Sequence, residues 1–96
     1  MSDANTFSVD QPMTFQTVPD LLTRSSQWLL ASSGPVVFDL QQAQRADSAG
    51  IALLVEWVEL AKAQQREISI INLPEQIEDL VNLNDLMPLL QQHTAN

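Results

Sequence analysis

Residues 35–72 read PVVFDLQQAQRADSAGIALLVEWVELAKAQQREISIIN, and the succession of patterns within them decides the fold. Pro35 to Leu40 is a short β-branched and aromatic run without helical period, as expected of a buried strand. Glu67 to Asn72 is a second such run. Between them SAGIALLVEWVELAKAQQ has the length and periodicity of a helix of about 17 residues. A strand, helix, strand order of this length implies a right-handed crossover between parallel strands.

Working outward, Thr17, Pro19 and Asp20 suit a helix start, because Thr can cap, Pro is tolerated in the first turn and Asp complements the helix dipole. The helix should run to about Ala31, with Val18, Leu21, Leu22, Trp28 and Leu29 on one stripe and Gly34 placed to end it. Before it, Thr6–Val9 and Met13–Gln16 are short strand candidates joined by a turn at Asp10, Gln11 and Pro12, so an edge hairpin is expected. After the second strand, a third helix is expected from Pro74, capped by Asn72 or Leu73 and burying Ile77, Leu80 and Val81. Leu86–Leu90 adds a last short helix. The sum is an α/β fold, a single domain over residues 1–96. Its mixed sheet of about four strands carries three to four helices, packed mainly on one face.

Composition narrows the function. The 96 residues, 45% apolar, suffice for one core. There is no cysteine, which excludes thiolate metal sites and disulfides, and the one histidine, His93, sits in a polar tail, so no metal or other cofactor is expected. Four basic against twelve acidic residues give a net charge of −8. Arg24, Arg45, Lys62 and Arg66 are too scattered to neutralise a run of phosphates, which argues against nucleic acid and against direct attachment to an anionic membrane. The first residues lack the basic and apolar regions of a signal peptide, and no apolar run approaches the ~20 residues of a membrane span. The expected location is the cytoplasm, with any membrane process reached through another protein.

The candidate functional residues lie where the first buried strand delivers the polar loop QQAQRADSAG into the long helix. Asp47 or Ser48 caps that helix, a structural role sufficient to explain either side chain. Ser48 is also a hydroxyl at a helix N-terminus, where a phosphate would meet favourable N–H groups and could oppose docking of a neighbouring surface. Along the helix, Ile51, Leu54, Val55, Val58 and Ala61 form a stripe that seats it on the sheet. Leu53, Trp57 and Leu60 widen the apolar arc to about 220°, twice what one-sided packing requires, so a further element must cover that flank: the first helix, the third helix or a partner protein. No set of nucleophile, base and orienting group is visible, so the chain is read as non-enzymatic.

These residues together resemble the STAS domain family, which contains the bacterial anti-sigma-factor antagonists. The likeness rests on the strand ending in Asp39-Leu40, the signature Asp47-Ser48-Ala49-Gly50 at a helix start, the EISIIN strand and the closing LVNLNDLMPLL. It covers about residues 35–90, while SVDQPMTFQTVPD departs from the family's longer first strand and glycine turn. Within the family, the AGIALLVEWVELAKAQ helix and the short acidic chain are most similar to the small STAS subunits of phospholipid-transport ABC systems. That resemblance implies a cytoplasmic subunit, peripheral to the inner membrane, which binds the ATPase subunit and supports its assembly or activity. The resemblance implies a contact at helix residues near Ser48; with the apolar flank added, the candidate partner-contact residues are Asp47, Ser48, Ala49, Gly50, Leu53, Trp57 and Leu60. The alternative it implies is an antagonist that captures a serine-kinase anti-sigma factor and is controlled by phosphorylation of Ser48.

Overall fold

A computed structural model describes residues 5–91. The chain runs β1 (Thr6–Ser8), α1 (Val18–Ala31), β2 (Val36–Asp39), α2 (Ser48–Ala63), β3 (Ile68–Ile71), α3 (Glu75–Leu83) and α4 (Met87–Gln91). The sheet order is β1-β2-β3 with both pairings parallel. Each parallel pairing needs a crossover, supplied by α1 and then α2. Two right-handed crossovers advancing in the same direction lay their helices on one face of the sheet. The burial follows from this: the in-register row Phe7, Phe38 and Ile70, with Val36 and Ile68, is buried, whereas Thr6, Val37 and Ser69 on the opposite face are half-exposed.

The α/β class and the helices on one face are therefore as the sequence suggests. The described sheet has three strands, parallel throughout, where a mixed sheet of about four was expected. The difference lies at residues 6–17. Thr6–Ser8 does not turn back on Met13–Gln16; it pairs in parallel with β2, and Met13 forms a single parallel bridge with Ala46. Residues 14–17 close into a turn instead, with the Thr17 and Val18 N–H groups donating to the Thr14 carbonyl at 2.9 and 2.8 Å. The Thr17 hydroxyl serves that turn, accepting from the Thr14 N–H at 2.8 Å, and makes no side-chain capping bond to α1.

Two other ends also differ. Ser32, not Gly34, stands at the C-cap of α1. Gly34 follows with φ 81°, turning the chain toward β2 in a conformation that favours glycine. Arg66 holds the end of α1 and the turn after it, its guanidinium donating to Leu29 O and Gly34 O, both at 2.8 Å, and to the Ser32 hydroxyl at 2.9 Å. At α3 the cap position belongs to Pro74. Leu73, preceding a proline, is biased away from helical backbone. Asn72, with φ 59°, turns its amide across the sheet end to donate to the Asp39 carboxylate at 3.1 Å. Leu80, expected in the core, is half-buried. The expected last helix is α4, with Leu90 buried; His93 lies outside the described residues.

α2 is the central helix. It packs on the sheet and against both α1 and α3, and buries Gly50, Ile51, Leu53, Leu54, Trp57, Val58 and Ala61. Trp57 is fully buried, stacked on Phe38 with ring centroids 4.2 Å apart, and its indole N–H donates to the buried Ser25 hydroxyl of α1 at 2.9 Å. Phe7 and Trp28 complete the aromatic cluster, with centroids 5.5 Å apart.

Candidate functional site

The segment that delivers Asp47 to α2 is held from two sides. On one, Met13 acts as a strand partner: its N–H donates to Arg45 O at 3.0 Å and its carbonyl accepts from the Asp47 N–H at 3.1 Å. On the other, the Gln76 side-chain amide of α3 pairs with Ala46, accepting its N–H at 2.8 Å and donating to its carbonyl at 3.1 Å. Ala43 and Ala46 anchor the loop in the core. Two segments distant in sequence thus fix the start of α2.

Asp47 is the N-cap. One carboxylate oxygen accepts from the Ala49 N–H at 2.9 Å and the Gly50 N–H at 3.3 Å, satisfying two orphan donors of the first turn. The other accepts from the Phe15 N–H at 2.9 Å and so ties the 14–17 turn to the helix. The Phe15 N–H, with the Gly50 and Ala49 N–H groups, holds the Asp47 carboxyl below its ordinary value of 3.8, against partial desolvation. A carboxyl lowered in the folded state contributes stability that is present above its unfolded value and lost as pH falls through the folded one. Asp47→Asn should therefore lower the melting temperature relative to the unaltered chain most above about pH 4, with the gap closing at lower pH. Parallel thermal melts from pH 7 to pH 2.5 check this; a gap independent of pH would contradict it.

Ser48, beside the cap, is exposed, and its hydroxyl stands outside the capping bonds. Ala49 is half-buried and Gly50 buried. Gly50 is where the chain crosses Met13: a Cβ there would run into the Met13 carbonyl oxygen and stand 2.8 Å from the Met13 Cβ and 2.9 Å from the Ala46 Cβ. The exposed side of α2 continues from Ser48 through Ala52 to Glu56 and Glu59, a small-residue start followed by acidic residues.

The other residues singled out along α2 are not brought together with these. Leu53 and Trp57, read from the sequence as partner-contact residues, are instead covered within the domain, and both side chains are buried. Leu60 is half-buried and lines an apolar groove of about 170 Å³ with Ser26, Leu29, Leu30 and Gln64. It lies 12 positions beyond Ser48, which on a helix is about 18 Å along the axis. Next to Ser48 lies a different groove, of about 360 Å³, lined by Thr14, Phe15, Gln16, Arg45 and Asp47. Sequence reading missed Phe15, Met13 and Gln76 at this site. Gln76 gives no sequence signal, since its partner is 30 residues away, and Phe15 was legible only as an alternating strand residue.

What the geometry offers is a rigid, hydrogen-bonded presentation of an exposed hydroxyl on the N-terminal turn of a buried helix. Among the described residues, no three His, Cys, Asp or Glu side chains group as metal ligands, and no helix is long and apolar enough to cross a membrane. A parallel α/β layer displaying an Asp-Ser helix start defines a domain of the STAS class. The family model described as "Mlab, STAS domain" matches residues 2–91, and the chain belongs to that family. STAS domains are protein-interaction modules and generally non-catalytic. No curated protein matches the chain.

Proposed function

We propose that this chain is the non-enzymatic STAS subunit of an ABC-type phospholipid transporter, which binds the ATPase subunit and supports its assembly or activity. The observation that carries the reading is the exposed Ser48 on a helix start clamped by Met13, Phe15 and Gln76, in a chain matched by a family model whose description names Mlab. A surface fixed in its bound conformation loses little entropy on association. Ser48, Ala49 and Ala52 would touch the partner, and Asp47, Gly50, Leu53 and Trp57 would hold them in place from beneath. Leu60, at the far end of α2, would meet the partner only if the contact extends along the helix. The subunit would be cytoplasmic and reach the inner membrane through its partner, without a cofactor or nucleic acid.

The alternative, an anti-sigma-factor antagonist switched by phosphorylation of Ser48, draws on the exposure of that hydroxyl. The geometry favours it less. The Ala49 and Gly50 N–H groups that would receive a phosphate already donate to Asp47, whose charge would repel it. Mixing the purified domain with the purified ATPase subunit and separating the mixture by size tests the reading. A stoichiometric complex is expected, and two separate peaks at micromolar concentration would contradict it.

A further inference from the structure

Five aromatic residues occur in the chain, three Phe and two Trp. Four of them, Phe7, Trp28, Phe38 and Trp57, converge in one cluster. The fifth, Phe15, is 79% exposed. Such exposure on a mobile loop would mean little, but the backbone under Phe15 is tied down. Its own N–H is held by Asp47, and the flanking turn is closed by Thr17 and Val18 donating to the Thr14 carbonyl. The ring is therefore presented from a fixed point, on the carboxylate that also caps α2, one residue from Ser48.

The groove beside it supplies a charge. Arg45 lines the same groove as Phe15 and is exposed. Of the other cations, Arg24 pairs with Asp10 and Asp20, Arg66 donates to the Leu29 and Gly34 carbonyls, and Lys62 stands in the last turn of α2, at the opposite end of that helix. Among the described residues Arg45 has no ion pair. Asp47, which also lines the groove, already accepts from three backbone N–H donors. In a chain of net charge −8 this corner thus offers an aromatic knob beside an unopposed guanidinium.

We propose that Phe15 is a second anchor of the Ser48 docking face, seating in an apolar socket on the ATPase subunit whose rim carries a carboxylate for Arg45. The proposal rests on the reading of that face as the partner contact. Buried aromatic anchors carry a large share of binding energy, while rim charges act mainly on association rate and its salt dependence. The contact therefore extends beyond α2 onto the 14–17 turn, and Asp47 is the group that makes the two parts one surface.

The test measures affinity of the purified ATPase subunit for Phe15→Ala, Phe15→Leu, Arg45→Glu and Ser48→Glu variants, each with its thermal melt. Phe15→Ala is expected to melt like the unaltered chain, since the ring touches solvent, and to bind about tenfold or more weakly. Phe15→Leu should recover most of that loss. Arg45→Glu should slow association several-fold, more at low salt than at high salt. If Phe15→Ala binds within twofold while Ser48→Glu loses binding, the anchor is wrong and the docking face stands. If both bind normally, the docking face itself is wrong and the anchor falls with it.

Discussion

Replacing Trp57 with alanine is expected to lower folding stability by about 3–5 kcal/mol, the range for emptying a buried large aromatic site. For a domain of this size that is a fall in melting temperature of roughly 15–30 °C. The cause is location. The indole is fully buried, stacks on Phe38 and donates to Ser25 on α1, so its loss opens a cavity where sheet, α1 and α2 meet. Trp57→Phe separates the components, keeping the ring over Phe38 while deleting the N–H, and should cost about 1–2 kcal/mol. A Trp57 that served a partner surface instead would leave the melting temperature of the free domain unchanged on substitution. Thermal unfolding of the isolated domain distinguishes the two.

Gly50→Ala should cost about 2–3 kcal/mol, against the ordinary rule for helices. Alanine is better than glycine in a helix by about 1 kcal/mol. Here the added methyl would meet the Met13 carbonyl oxygen, and that carbonyl cannot rotate away without abandoning the Asp47 N–H. Overpacking of this kind costs typically 1–3 kcal/mol, and a backbone neighbour places it at or above the upper end, so the clash wins. The Met13–Ala46 bridge would shift, and with it the attachment of Phe15 to Asp47. Urea unfolding should show the midpoint falling by about 2 M at a slope near 1 kcal/mol/M; an unchanged or raised midpoint would contradict this account of the glycine.

What the sequence made legible follows from the range of the interactions concerned. β2, α2 and β3 could be read because their periodicity is local, and the cap at Asp47 or Ser48 because capping chemistry is confined to four residues. Asp47 is the one that caps, accepting from the Ala49 and Gly50 N–H groups, and its second carboxylate oxygen accepts from Phe15, 32 positions away, a contact with no local signal. The wide apolar arc of α2 was also legible, but not what covers it: a helix sandwiched between a sheet and two other helices needs as many apolar faces as one waiting for a partner. Residues 6–17 read as a hairpin because alternation over four residues does not distinguish parallel from antiparallel pairing, and one bridging residue, Met13, carries no periodic signal. Gln76 was invisible for the same reason, since an amide that mimics a strand partner looks like any exposed helix residue.

The claim that matters most is that the Asp47–Ser48 helix start is the face presented to an ATPase partner. Ser48→Glu tests it with the fewest side effects. A single negative charge in the first turn suits the helix dipole, which offsets its repulsion from Asp47 at this exposed position, so the fold should be as stable as before, while the partner surface would meet an unmatched charge. Titration of the purified ATPase subunit with this variant, beside a thermal melt of the variant alone, gives the answer. The account predicts an unchanged melting temperature and binding weakened by about 30-fold or more. Binding within twofold of the unaltered domain, at equal stability, would contradict it.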